Sequence, residues 1–376
     1  MSKKPNVLNV YRTYYPDPPG GLQEAIRQTC IATSNVGVKN TIFTLSPNPH
    51  PKNVHFSEVD VVRERSLIAP ASCDIGGLAS FKTFSMLSQK SDLVHYYHPW
   101  PFADILNLTT RKSHPKILTY ISDVVRQRIL NIAYAPLMRR HLQDMDLIVA
   151  NCPSYAETSP VLSHASVRNK VRIVPLGIDE SSYPKNGDES IFSRANFDSN
   201  EPYFLFLGVH RYYKGIHTLI EAARFTKANI IIAGSGPKTR ELMEQVSSHA
   251  LKNIIFTGQV TNSEKVSLFK KCRGFVLPSH LRSEAYGMVL VEASMFGKPM
   301  VSCEIGTGTS FINKDGLTGY VVPPESPVRL ADAINALLED ESLASKMGAA
   351  ARSRYEEIFS GEALGKAYSN LYSEIA

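Results

Sequence analysis

The sequence predicts an α/β protein made of two doubly wound domains in series. Three observations carry this expectation. Short apolar runs alternate with helix-patterned segments almost throughout, as in parallel sheets covered by helices on both faces. A polar stretch from Glu180 to Pro202, with several Asp and Ser residues, interrupts the alternation. The chain's 376 residues suffice for two domains. The expected layout is a first domain over 1–180, a linker over 181–202 and a second domain over 203–360, with a nucleotide site at the carboxyl ends of strands.

In the first domain, Asn6–Tyr11, Asn40–Thr44, Leu93–Tyr96, Lys116–Tyr120, Leu147–Asn151 and Val171–Pro175 read as buried strands. Leu22–Val36, Phe81–Ser88 and Val124–Leu142 read as the helices between them. In the second, the expected strands are Tyr203–Gly208, Asn229–Ala233, Asn253–Phe256, Gly274–Leu277, Pro299–Cys303 and Gly319–Val322. Gly215–Phe225, Thr239–Ser248, Ser263–Lys271 and Arg329–Glu339 have helical patterning. A further helix is expected to begin at the amides of Gly287, Met288 and Val289.

Composition sets wide bounds. Hydrophobic content of 43% and charged content of 20% fit an ordinary globular chain. A net charge of +6 favours an acidic partner. Nucleic acid is the least supported, because no zinc-finger or RNA-binding aromatic motif is present. Five scattered cysteines without a C-x-x-C point to a reduced, intracellular protein. The apolar run after the basic start ends at Tyr11-Arg12, too short for a signal-peptide core. No run is long enough to span a bilayer, so membrane contact is expected to be peripheral.

Two carboxylates, Glu284 and Glu292, flank Ala285, Tyr286, Gly287, Met288 and Val289. Glu292 lies in a largely apolar helical segment. A buried carboxylate needs donors, and two ribose hydroxyls would supply them; an exposed helical Glu is the plainer alternative. Glu284 follows Arg282-Ser283 and is expected to accept from sugar hydroxyls, against the alternative of a salt bridge with Arg282. The turn Gly208-Val209-His210-Arg211-Tyr212-Tyr213-Lys214-Gly215 joins a strand to a helix, where Arg211 and Lys214 could neutralise a diphosphate. Gly20-Gly21 opens the first helix without the G-x-G-x-x-G spacing of a nicotinamide fingerprint. Gly234, in Gly234-Ser235-Gly236, marks another strand-helix loop. Asp144 and Asp146 look like the acidic pair of metal-dependent transferases, but are read as a solvated junction.

Residues 203–322 closely resemble the C-terminal domain of the retaining glycosyltransferase family 4, with the GT-B fold. The turn through Lys214-Gly215, the Gly234-Ser235-Gly236 turn, Phe256-Thr257-Gly258 and the Glu284/Glu292 motif carry the resemblance. It extends weakly over the chain through Gly20-Gly21, Tyr120–Gln127 and Pro175–Asp179. With His98-Pro99-Trp100-Pro101, the pattern looks most like bacterial O-polysaccharide mannosyl- and rhamnosyltransferases.

The resemblance implies two Rossmann-like domains facing across a cleft, the first for acceptor and the second for donor, with 361–376 packing back on the first. It implies a GDP-sugar donor, a lipid-linked glycan acceptor, retention at the anomeric carbon, no cofactor and no metal. Lys214 and a nearby arginine would bind the diphosphate, Glu284 and the Gly287–Val289 backbone the hexose and phosphates, and Glu292 the ribose. The loop from Thr257 through Gly258 to Val260 would line the base. Val209 stands where many relatives have arginine, so Arg211 must serve. Ile121 stands where they often have histidine, leaving His98 or Asp123 to compensate.

The expected activity is hexosyl transfer, of mannose or a 6-deoxyhexose such as D-rhamnose, in O-antigen or lipopolysaccharide biosynthesis. A UDP-sugar transferase, a nucleotide-sugar epimerase and a binding module with degraded catalysis are the alternatives. The basic, amphipathic stretch Arg111–Arg140 is expected to meet an anionic inner-membrane surface, with Pro136 breaking or kinking its helix.

Overall fold

Strands that are apolar on both faces can only be buried between helix layers, and the chain builds two such sheets. In this computed structural model, residues 4–17, 20–70, 73–109, 114–121 and 128–375 are described. They divide into one unit of 1–177 with 361–376 and a second unit of 178–360.

The first unit contains β1 (Asn6–Val10), β2 (Lys39–Ser46), β3 (Asn53–Phe56), β4 (Val59–Ile68), β5 (Ile75–Gly76), β6 (Leu93–His98), β7 (Lys116–Tyr120), β8 (Leu147–Ala150) and β9 (Val171–Ile173). Their order is β3-β4-β2-β1-β6-β7-β8-β9, with β5 paired to β4. The β3–β4 and β4–β5 pairs are antiparallel and the others parallel. Sequence reading missed β3, β4 and β5. Helix Gly21–Asn35 and the last helix, Gly361–Ile375, pack together over this sheet. Leu364, Tyr368, Leu371 and Tyr372 join Val7, Ala32, Ile117 and Val149 in one buried cluster. Gly365 permits the approach, since a Cβ there would lie 2.4 Å from the Ala32 carbonyl oxygen. Two hydroxyls fix the register: Tyr368 meets Thr119 Oγ1 at 2.9 Å and Tyr372 meets His95 Nδ1 at 2.9 Å.

The second unit contains β10 (Tyr203–Leu207), β11 (Asn229–Ala233), β12 (Ile254–Gly258), β13 (Gly274–Leu277), β14 (Met300–Cys303) and β15 (Gly319–Val322). All pairs are parallel, in the order β12-β11-β10-β13-β14-β15. The order reverses between β10 and β13. Ligands of open α/β sheets bind outside the carboxyl ends of strands at such a reversal.

Two expectations need correction. Residues 181–202 are not a free linker but part of the second unit. Helix Ser190–Arg194 buries Ile191 and Phe192, and Arg194 pairs with Glu264 at 2.5 Å. Apolar residues hidden among polar neighbours explain the misreading. Of the break or kink expected at Pro136, the break does not occur, since one helix runs from Arg128 to Asp144. An interior proline removes one amide donor and crowds the carbonyl four residues before it, but here the helix continues past it.

Candidate active site

The β10 and β13 loops meet at the strand-order reversal. After β10, Arg211 caps the short turn Tyr212–Lys214, and Lys214 N donates to Arg211 O at 3.1 Å. Gly215 follows with φ +68°; a Cβ there would sit 1.9 Å from the Pro278 carbonyl oxygen. His280 N donates to Tyr213 O at 3.1 Å, tying the β13 loop to this turn. The sequence therefore needs glycine at 215 for both backbone geometry and close approach.

This packing brings Lys214 Nζ onto Glu284 Oε2 as a hydrogen-bonded ion pair. Ser279 Oγ donates to the same carboxylate oxygen at 3.1 Å. Thr307 Oγ1 donates to the Glu284 carbonyl at 2.8 Å, and Gly308 N donates to Ala285 O at 3.1 Å. The glycine-threonine loop after β14 thus holds the Glu284 segment in place. Burial alone would lower the Lys214 pKa, but Glu284, Tyr213 and Glu292 outweigh it and raise the ammonium above the usual lysine value. Lys214 stays charged. Arg282, weighed as a partner for Glu284, instead donates to Gly306 O at 2.7 Å.

Gly287, with φ +92°, starts the helix Met288–Met295. Leu290 N donates to Gly287 O at 2.8 Å, and the Met288 and Val289 amides before it stand at the positive end of the helix dipole. Four residues into the helix stands Glu292, 9% exposed. Its Oε1 accepts from Lys265 Nζ at 2.7 Å and from the Tyr183 hydroxyl. Lys265 also lies over the Tyr183 ring, 4.5 Å from its centroid. Sequence reading missed both partners. Tyr183 was hidden in the supposed linker, and Lys265 on a helix whose relation to Glu292 only the fold reveals.

Glycine backbones lie at the carboxyl ends of β10, β11 and β12. Gly234 N donates to Gly258 O at 2.8 Å, and Gly208 N to Ala233 O at 3.1 Å. A Cβ on Gly234 would meet Gly208 O at 2.1 Å. Gly258 has φ +71°, with nothing within 4 Å of a Cβ built there. Val260 is half-buried just beyond it. Arg211 is exposed and, among the described residues, enters no ion pair with either carboxylate.

The remaining candidates belong to the first unit. His98 ends β6, buried, with its ring stacked on Tyr120 at 4.5 Å. Gly20 N donates to Gln23 Oε1 at 2.9 Å, while a Cβ on Gly21 would meet nothing within 4 Å. Asp123, Arg111, Lys112, Val124, Val125 and Arg126 lie outside the described residues. Asp144 accepts from Asn107 at 3.2 Å and Asp146 from the Lys116 amide at 2.8 Å. Both acids thus have structural partners.

The chain is similar over most of its length to known proteins. Residues 19–182 match the family described as Glycosyltransferase Family 4, and residues 187–354 that described as Glycosyl transferases group 1. The chain is 41% identical to D-rhamnosyltransferase WbpZ of Pseudomonas aeruginosa over 353 residues, covering 94% of this chain and 92% of that protein. The chain belongs to this glycosyltransferase family. It is also 37% identical over 369 residues to O-antigen chain mannosyltransferase C of Escherichia coli, covering 98% of each. The fold is GT-B. Sucrose-phosphate synthase from Thermosynechococcus elongatus superposes with a TM-score of 0.78 at 21% identity, covering 99% of each chain.

Proposed function

We propose that this glycosyltransferase moves a hexosyl unit, mannose or a 6-deoxyhexose such as D-rhamnose, from a GDP donor to a lipid-linked glycan during O-antigen assembly. The anomeric configuration is retained, and no metal takes part in the chemical step. The observation that carries the reading is the Lys214–Glu284 pair beside the Gly287 helix start. A fixed cation beside a helix start suits a departing diphosphate and supports the reading. The curated relatives at 41% and 37% identity, named for rhamnosyl and mannosyl transfer, support the sugar class.

Negative charge grows on the diphosphate as the glycosidic bond breaks. Lys214 and the Met288 and Val289 amides stabilise it without reorganising. Arg211, on the exposed side of the turn, adds a second cation as donor binds. Glu284 exchanges part of its bond to Lys214 for hexose hydroxyls, and Glu292 turns its second oxygen toward the ribose. The Gly208, Gly234 and Gly258 backbones leave room for nucleotide, and Val260 borders the base. In retaining transfer on one face, the leaving phosphate takes the acceptor proton, so His98 and Asp123 act by positioning the acceptor.

A thermal-shift panel tests the donor. A ligand that binds only the native state raises the melting temperature. GDP should raise it more than UDP or ADP at equal concentration, and GDP-mannose or GDP-rhamnose should be consumed only with acceptor. Equal or larger stabilisation by UDP would overturn the assignment of the base. Consumption that continues in EDTA fits the metal-free step, whereas rescue by Mg²⁺ would reject it.

A further inference from the structure

Behind the Lys214 turn lies a cluster that the transfer reaction does not use. His217 sits in the helix Ile216–Ala222, His280 in the loop after β13, and Glu325 in the loop after β15. One nitrogen from each imidazole and one Glu325 oxygen all lie within 4.8 Å of one another. His280 is 7% exposed, and neither of its ring nitrogens has a hydrogen-bond partner. A buried imidazole normally satisfies at least one nitrogen. This one faces a second imidazole and a carboxylate instead.

Packing accounts for only part of the arrangement. Tyr212 stacks on His217 at 5.3 Å and meets His280 edge-on at 4.8 Å. Those contacts use ring faces and edges and leave the His280 nitrogens unanswered. We infer that His217, His280 and Glu325 form a binding site for a divalent transition cation of the zinc class. Two imidazoles and one carboxylate are a borderline donor set that selects such ions over Mg²⁺ or Ca²⁺. Tetrahedral ligation at about 2.1 Å puts donors about 3.4 Å apart, so the three side chains close by rotation onto the ion. Exposed Glu325 leaves the fourth position to water.

The electrostatics suit a ligand site. The unanswered His280 nitrogens, the His217 ring and the Glu325 carboxylate face one another and offer a cation its donors. Lys238 and Glu241 are the other charges near His217, and they pair with each other at 2.5 Å. The ion's role is bracing. His217 follows Gly215 by two residues, and His280 is bonded through its amide to Tyr213. A bound ion therefore clamps the Lys214 turn and the β13 loop to the β15 loop without touching the reacting groups.

The test uses the full chain without an added histidine tag, stripped by chelator and titrated with Zn²⁺ and Co²⁺. The expected result is one ion per chain, a raised melting temperature with Zn²⁺ and none with Mg²⁺, and visible ligand-field absorption from Co²⁺. His280→Ala, His217→Ala and Glu325→Gln should each weaken binding at least tenfold. Glu325 is exposed, so its variant keeps the test valid even if a histidine variant folds poorly. No stoichiometric ion, or binding and Co²⁺ spectra unchanged in Glu325→Gln and His217→Ala, would overturn the inference. These readouts do not depend on the donor, so the two proposals stand or fall separately.

Discussion

Glu284 and Glu292 flank one helix start but differ in their partners. Glu284 is committed to Lys214 and Ser279, and Glu292 to Lys265 and Tyr183. Free GDP carries a ribose but no hexose. Glu292→Ala should therefore weaken GDP binding by about 1.5–3 kcal/mol, the worth of a hydrogen bond to a charged acceptor. Glu284→Ala should lower turnover much more than GDP affinity, as calorimetry and initial rates together would reveal. Equal losses of GDP affinity would refute this division of labour. Lys214→Ala should abolish most turnover, because the lost cation acts on charge that appears only as the bond breaks. Arg211→Ala should cost turnover too if its guanidinium swings onto the diphosphate. A near-normal rate would show that another cation serves.

At the scale of elements, the parallel strands were legible and the irregular parts were not. Each of the six strands expected in the second half forms, because buried parallel strands are uninterrupted apolar runs. β3 was missed because it is a short antiparallel edge strand that alternates exposed with half-buried residues, and β4 because Asp60, Arg63, Glu64 and Arg65 interrupt its apolar run. The residues 284–292 were legible as a pair because their spacing is local. Tyr183 and Lys265 were not, since each reaches Glu292 only through tertiary packing.

The helix pair Pro101–Asn107 and Arg128–Asp144 offers a test of burial. Asp104 lies between Tyr134, which donates to it, and His141, whose Nε2 is 3.6 Å away. Burial pushes the Asp104 carboxyl up to about 7, against a smaller lowering by Tyr134. Burial pushes His141 down to about 3. The two act oppositely on stability. The Asp104 contribution is whole below its unfolded value near 3.8 and is lost as pH rises toward 7. The His141 contribution is whole above its unfolded value near 6.5 and is lost as pH falls toward 3. Asp104→Asn removes the first slope alone. Its stability should then climb more steeply than that of the native chain between pH 4 and pH 7, by urea unfolding. Parallel profiles would show that Asp104 does not titrate in this range.

For the whole molecule, the acceptor raises the question of where the enzyme works. Among the described residues, no helix is long and apolar enough to cross a membrane. Arg139 and Arg140 are exposed near the end of their helix, beside buried Met138. Each basic residue near an anionic surface contributes about 1 kcal/mol. Co-sedimentation with anionic liposomes should be strong at low salt, fade as salt rises, and fall when both arginines become Glu. Binding unchanged in that double variant would remove this segment as the anchor.

The route of the chain has its own consequence. It passes from the first unit to the second at Gly177 and returns at Ser360. The two crossings run side by side: Ile178 N donates to Phe359 O at 2.8 Å, and Ile178 bridges Ser360. The second unit is thus an insert with adjoining ends. One cut near residue 180 yields no intact half, because Gly361–Ile375 stays with the wrong fragment and its partner helix is left bare. Two cuts excise residues 178–360 as a cassette. If the second unit holds the donor, as proposed, exchanging that cassette between relatives should change the sugar delivered and leave the first unit's sequence untouched.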